Sequence, residues 1–206
     1  MATNFIIEIN KKEDIIIPFE KIGDDDWETR TRKIIAAIAE NFGNDVKEAI
    51  SADKIVELET RLGTTLPKGL KSFYQTFGLA DIGEKLQEFK DIDWIKNIGA
   101  DQPQYGPSFT VEDKKYLPFL VSFSDYLGNG NMFCFHSETK EIYYYDHDNP
   151  PYLTKMFGTI DEYLKGCLIF AQSDLFGEAS PKDAEKWTLE IVSEIVGKAM
   201  VKKWGY

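Results

Sequence analysis

The residues of this 206-residue chain best suited to chemistry are its two cysteines, its two histidines and the aspartates near them. Cys134, His136, Asp146, His147 and Asp148 lie close in sequence. Thiolate and imidazole groups bind zinc when four ligands converge tetrahedrally. Cys134 and His136 share one face of a strand, because side chains two apart point the same way. Asp146-His147-Asp148 stands instead at a strand end beside Pro150-Pro151, where Asp and Asn form turns. The spacing favours a turn with one packed histidine over a metal site. Asp24-Asp25-Asp26 is also a poor ligand set, since three consecutive carboxylates converge on one ion only if a loop wraps round it, and it reads as a helix start.

Nucleophilic catalysis needs a nucleophile beside a base that a third group orients. The chain has no Gly-x-Ser-x-Gly elbow, and neither cysteine has a histidine and an acid in a recognisable arrangement. Gly128-Asn129-Gly130-Asn131 is not followed by the lysine or helix start of a phosphate loop. No catalytic, metal or cofactor residue is assigned, and no cofactor is expected. Cys134 and Cys167, without Cys-x-x-Cys spacing, read as buried thiols in a reducing cytoplasm.

Composition and aromatic content are also consistent with recognition of another protein. Lys and Arg number 24 against 35 Asp and Glu, a formal charge of −11, which repels a phosphate backbone and attracts a basic partner. Acids beside aromatics at a loop or sheet end are the candidate partner-binding residues: Asp91, Asp93 and Trp94, then Asp125 and Tyr126, and lastly Tyr145 with Asp146 and Asp148. The aspartates read equally as turn formers. In the run Tyr143-Tyr144-Tyr145, alternation along a strand is expected to put at least one ring outside the core, where it serves as an anchor, unless loops or the terminal helix cover it.

The elements that must position these residues follow from periodicity. Phe5-Ile6-Ile7 and Ile15-Ile16-Ile17, separated by a polar turn, predict an N-terminal hairpin. Trp27, Ile34, Ile35, Ile38 and Phe42 form a helical stripe closed by Gly43. Ser51 caps a helix carrying Ile55, Leu58 and Leu62, Gly63 ends it, and Leu66-Pro67 starts a second helix with Leu70, Phe73, Tyr74 and Phe77. Residues 79–107 read as a short helix and a loop. Residues 116–123, 132–136 and 141–145 are β-branched or aromatic runs separated by turn residues, hence an antiparallel meander. Thr159 with Glu162 makes a capping box for a helix bearing Tyr163, Cys167 and Ala171. Ser180-Pro181 starts a last helix with Ala184, Trp187, Ile191 and Ile195 as its apolar stripe.

The segment SADKIVELETRLGTTLPKGLKSFYQTFG (residues 51–78) resembles the opening of the SUKH superfamily, the Smi/Knr-like immunity proteins. YLPFLVSFSDYLGNGNMFCFHSETKEIYYYDHD (residues 116–148) resembles its second block, and MFGTIDEYLKG (residues 156–166) its closing helix. The resemblance departs from the usual pattern at Leu79-Ala80, in the long stretch 81–115 and in both extended ends. It implies an α+β fold, an antiparallel meander covered by helices, with N-terminal and C-terminal extensions. One domain is expected over residues 1–206, with a core of about 51–166, an N-terminal extension over 1–50 and a helical C-terminal extension over 167–206. Leu58, Leu62, Leu66, Phe73, Phe77, Leu117, Phe119, Phe133, Phe135, Tyr163 and Cys167 are its expected core.

In bacteria the resemblance implies immunity: binding and neutralising a cognate polymorphic or contact-dependent toxin domain, often a nuclease, with no catalytic residues. The acidic charge suits a basic toxin. A regulatory or scaffold module of the same fold is the alternative, and a metal-dependent hydrolase built on Cys134, His136 and His147 is a third. The start MATNFIIEINKK lacks the apolar stretch of a signal peptide, and no run reaches the length of a membrane span, so a cytoplasmic protein without direct contact to nucleic acid or membrane is expected.

Overall fold

The aromatic and β-branched runs in the second half of the chain form the sheet. The computed structural model describes residues 7–97, 109–125, 130–198 and 201–202. Strands β1 (Lys85–Leu86), β2 (Leu120–Asp125), β3 (Met132–His136), β4 (Ile142–Tyr145) and β5 (Leu153–Phe157) make one antiparallel sheet in the order β1-β2-β3-β4-β5. The α-helices among the described residues are α1 (Trp27–Phe42), α2 (Ala52–Leu62), α3 (Lys68–Phe77), α4 (Asp113–Tyr116), α5 (Ile160–Phe170) and α6 (Pro181–Val196). This is the α+β meander that the periodicity predicts.

The backbone divides into two compact units. One comprises Ile50–Lys71 and Glu84–Ile160 and holds the whole sheet. Its register is set by side-chain alternation. Cys134, Tyr143 and Tyr145 share one face and pack with Ile95, Leu120 and Leu153, flanked by Phe109, Tyr116, Leu117, Met132 and Tyr152. Phe133 lies on the other face, with ring centroids 5.1 Å from Tyr144 and 6.2 Å from Phe157. A slip of one residue would exchange these two aromatic layers, so the pairing Cys134 with Tyr143 is strongly specified.

Ser51 caps α2 by accepting from Lys54 N, and Gly63 follows it in the left-handed region at φ 67°. The corner between α2 and α3 is tied to the β3–β4 turn: Thr64 Oγ1 donates to Ser137 O at 3.3 Å and Lys140 Nζ to Thr65 O at 2.6 Å. Residues 85–97 run along the outer edge of β2, where Gln87 N donates to Phe123 O, Ser122 N donates to Asp93 O, and Trp94 bridges to Val121. The edge is thereby covered by irregular backbone rather than left open.

The second unit comprises Met1–Ala49, Ser72–Gly83 and Asp161–Tyr206. Trp27 at the start of α1 stands edge-on to Phe19 and to Phe77, with centroids 6.4 and 5.5 Å away. Gln172, fully buried, accepts from Ile16 N at 2.8 Å and donates to Ile16 O at 2.9 Å and to Leu168 O at 3.0 Å. A bonded amide in such a place satisfies backbone groups that would otherwise be buried unpaired.

Several expectations need correction. The N-terminal hairpin is not formed among the described residues: Ile9 bridges to Phe176, and the backbone of Ile16 is taken up by Gln172. The short helix expected after Leu79 is replaced by β1 and a 3-10 turn at Ile95–Asn97, because the backbone there bonds to the edge of β2. The strand expected from Tyr116 begins at Leu120, since Leu117–Phe119 is a 3-10 turn containing Pro118, which has no N–H for a ladder. Leu117 and Phe119 are accordingly only half-buried, whereas the other nine expected core residues are buried. Strand β5 was not foreseen. In α6 the buried residues are Ala184, Thr188 and Val192, and Trp187, Ile191 and Ile195 are half-buried.

Candidate protein-binding surface

Antiparallel pairing decides which candidates meet. Asp125 is opposite Met132, Met132 is opposite Tyr145, and Tyr145 is opposite Leu153, so the end of β2 and the start of the β4–β5 loop lie at one end of the sheet. Asn131 links the two loops there. Its Oδ1 accepts from His147 N at 2.9 Å and faces His147 Nδ1 at 2.8 Å, while its Nδ2 donates to Tyr144 Oη at 2.8 Å. Asp146 is a turn former: Oδ1 accepts from the backbone N–H of Asp148 and of Asn149, both at 3.1 Å. Asp148 projects into solvent with its side chain 70% exposed, 3.2 Å from His147 Nε2.

Asp91, Asp93 and Trp94 belong elsewhere. Asp93 and Trp94 flank β2 at Ser122 and Val121, roughly 10–13 Å along the strand from Asp125 at ~3.3 Å per residue, and Asp91 precedes them by two residues. Asp93 Oδ1 accepts from Trp94 N at 2.7 Å and from Asn97 Nδ2 at 3.0 Å, holding the 3-10 turn. The half-buried indole of Trp94 donates to Leu62 O at 3.2 Å, and Lys96 Nζ sits 4.4 Å from its ring centroid. Arg61 donates to Phe89 O and Ile92 O, fixing the turn on which Asp91 is exposed.

Tyr145 is 2% exposed, and its phenol is pushed up to about 12, by burial first and then by neighbouring charge. It cannot serve as an exposed anchor. Tyr143 and Tyr144 are equally buried, which overturns the expectation that one of the three stands outside the core. Alternation here directs side chains into two buried layers, because both faces of the sheet are packed. Tyr126 lies outside the described residues.

The histidines are kept apart. His136 is paired with Leu120 at one end of the sheet, stacked on Phe119 at 5.0 Å, and its Nδ1 accepts from Glu138 N and Thr139 N. His147 is at the opposite end, beyond Tyr145. Cys134 and Cys167 are buried thiols outside any disulfide, and burial holds Cys134 well above the ordinary thiol range. No three His, Cys, Asp or Glu side chains among the described residues are grouped to hold a metal ion. No helix among them is long and apolar enough to cross a membrane.

Sequence reasoning missed Gln87, which follows a strand too brief to show a period, and Asn131, whose bridging role depends on register. It also missed Asp113, a buried carboxylate one of whose partners, Leu153, lies on a strand not foreseen.

An antiparallel meander with α-helices before and after it in the chain defines an α+β protein. The model of the SMI1 / KNR4 family (SUKH-1) matches residues 49–166, and the chain belongs to that family. The match covers more than half of the 206 residues and encloses the entire sheet. No curated protein and no solved structure matches the chain.

Proposed function

We propose that this protein is an immunity protein that binds a cognate polymorphic or contact-dependent toxin domain, a basic nuclease, and neutralises it by occlusion rather than by catalysis. Membership of the SUKH-1 family carries this reading. The net charge of −11 supports it, because an acidic inhibitor gains association rate from long-range attraction to a basic enzyme and disfavours direct contact with nucleic acid. Asp125, Asp146 and Asp148 form one acidic patch in this proposal, and Asp91, Asp93 and Trp94 a second. Tyr126, next to Asp125 in sequence, is retained as a candidate anchor. The chain works in the cytoplasm, as one domain over its whole length.

The test is co-expression with the product of the neighbouring coding region. Co-purification with a C-terminal toxin domain, and rescue of growth, is the expected result. A neighbour without toxicity, or a toxin that neither binds nor is neutralised, would refute the reading.

A further inference from the structure

Two buried acceptors near the acidic end of the sheet lack a donor. They are Oε1 of Gln87 and Oδ1 of Asp125. Gln87 is only 9% exposed, and its Nε2 is turned to Met132 Sδ at 3.9 Å. Register brings the two side chains to the same face. Lys85 is opposite Asp125, Gln87 N donates to Phe123 O two residues further on, and Asp125 is opposite Met132, the residue that Gln87 reaches. A buried oxygen without a hydrogen bond is destabilising, and an amide oxygen and a carboxylate oxygen on one face can be satisfied together by a group with several donors.

We propose that Gln87 and Asp125 are a receptor for the guanidinium of an arginine on the bound protein, an inference that rests on the toxin-binding reading for the identity of that protein. A guanidinium carries five donors in a planar fork, is always charged, and is hydrated more weakly than an ammonium, so it bridges amide and carboxylate oxygens at low desolvation cost. Half-buried Met132 lies against the arginine's apolar stem. Asp125 is only half-buried, and in this proposal its carboxylate turns to present Oδ1 to the incoming group. Asp146 and Asp148, at the same end of the sheet, supply the longer-range attraction.

The probe is N-acetylarginine amide, titrated into the isotopically labelled full chain and followed by NMR. Saturable shifts at the Gln87 side-chain amide and the Met132 backbone amide are expected, with affinity falling roughly tenfold in Asp125→Asn and in Gln87→Met. No saturable shift, wild-type affinity retained in both variants, or the same shifts with magnesium chloride in place of the arginine would overturn the proposal. A second readout covers a structural role: Gln87→Met should keep or raise the unfolding midpoint, and a clear fall would mean that the amide is bonded within the protein. A toxin domain that binds wild type and both variants equally would sink the receptor and leave immunity standing. A toxin that fails to bind, with the arginine titration as expected, would sink immunity and leave the receptor.

Discussion

Asp113 offers the sharpest test of the packing around the sheet. Its side chain is buried, the residue being 1% exposed. Oδ2 accepts from Thr110 N at 2.8 Å and Thr110 Oγ1 at 2.6 Å, and Oδ1 accepts from Leu153 N at 2.9 Å. The carboxylate thus binds the start of α4 to the outer strand β5. Burial pushes its pKa upward, but the Thr110 hydroxyl and the backbone N–H groups of Leu153, Thr110 and Tyr152 outweigh burial and hold it below the ordinary carboxylate range. Asp113→Ala removes three bonds to a charged group, each worth about 1.5–3 kcal/mol, and strands the N–H of Leu153. Water reaching the half-buried neighbours offsets part of that, so the expected loss is about 3 kcal/mol, read as a lower urea midpoint at unchanged slope. Asp113→Asn keeps an oxygen for Leu153 but turns an NH₂ toward the Thr110 N–H, and should cost about 2 kcal/mol. Because the folded pKa is depressed, the stabilisation is complete above the unfolded carboxylate value of about 3.9 and is lost as pH falls through the folded one. Asp113→Asn should therefore lose less stability than wild type on acidification. A loss under about 0.5 kcal/mol for Asp113→Ala, or an undiminished acid slope in Asp113→Asn, would refute the reasoning.

Gln172→Ala strands the N–H and C=O of Ile16 and should lower stability by about 3 kcal/mol in denaturant titration. Lys140 lies at φ 62° while its ammonium bonds Thr65 O, so Lys140→Ala loses the bond and keeps the strain, whereas Lys140→Gly relieves the strain; the glycine variant should be the more stable by about 1 kcal/mol. His136→Ala should cost about 1 kcal/mol by freeing the N–H groups of Glu138 and Thr139, and both His136→Ala and His147→Ala should bind partner as wild type does, measured by calorimetry. The chain crosses between its two units four times, after residues 49, 71, 83 and 160, so fluorescence and circular dichroism should report one coincident unfolding transition, and separate midpoints would disprove a single domain.

Elements with their own punctuation were legible in the sequence. Ser51 and Gly63 bracket α2, Ser180-Pro181 opens α6, and the aromatic runs of β3 and β4 declare themselves within a residue of their observed ends. Elements formed by pairing with a distant partner were not. Ile15-Ile16-Ile17 looks like a strand by composition, yet the backbone of its central residue, Ile16, is satisfied by one glutamine 156 positions away. Lys85–Leu86 is a strand only because β2 has an edge to cover. The candidate surface shows the same division. Asp146 and Asp148 beside the prolines read correctly as a turn, but the burial of Tyr145 depends on both sheet faces being packed, which alternation along a single strand does not reveal. That Gln87 reaches Met132, the residue opposite Asp125, is likewise a matter of register.

Titration of the neighbouring toxin domain's activity with this protein, at low and at moderate ionic strength, tests the central claim most directly. Stoichiometric loss of toxin activity is predicted, with association that slows as salt rises because the acidic patches steer the encounter. A toxin that stays fully active under a molar excess of the protein would contradict the account; inhibition reached slowly at low salt and indifferently to ionic strength would leave the acidic surface a role in solubility alone.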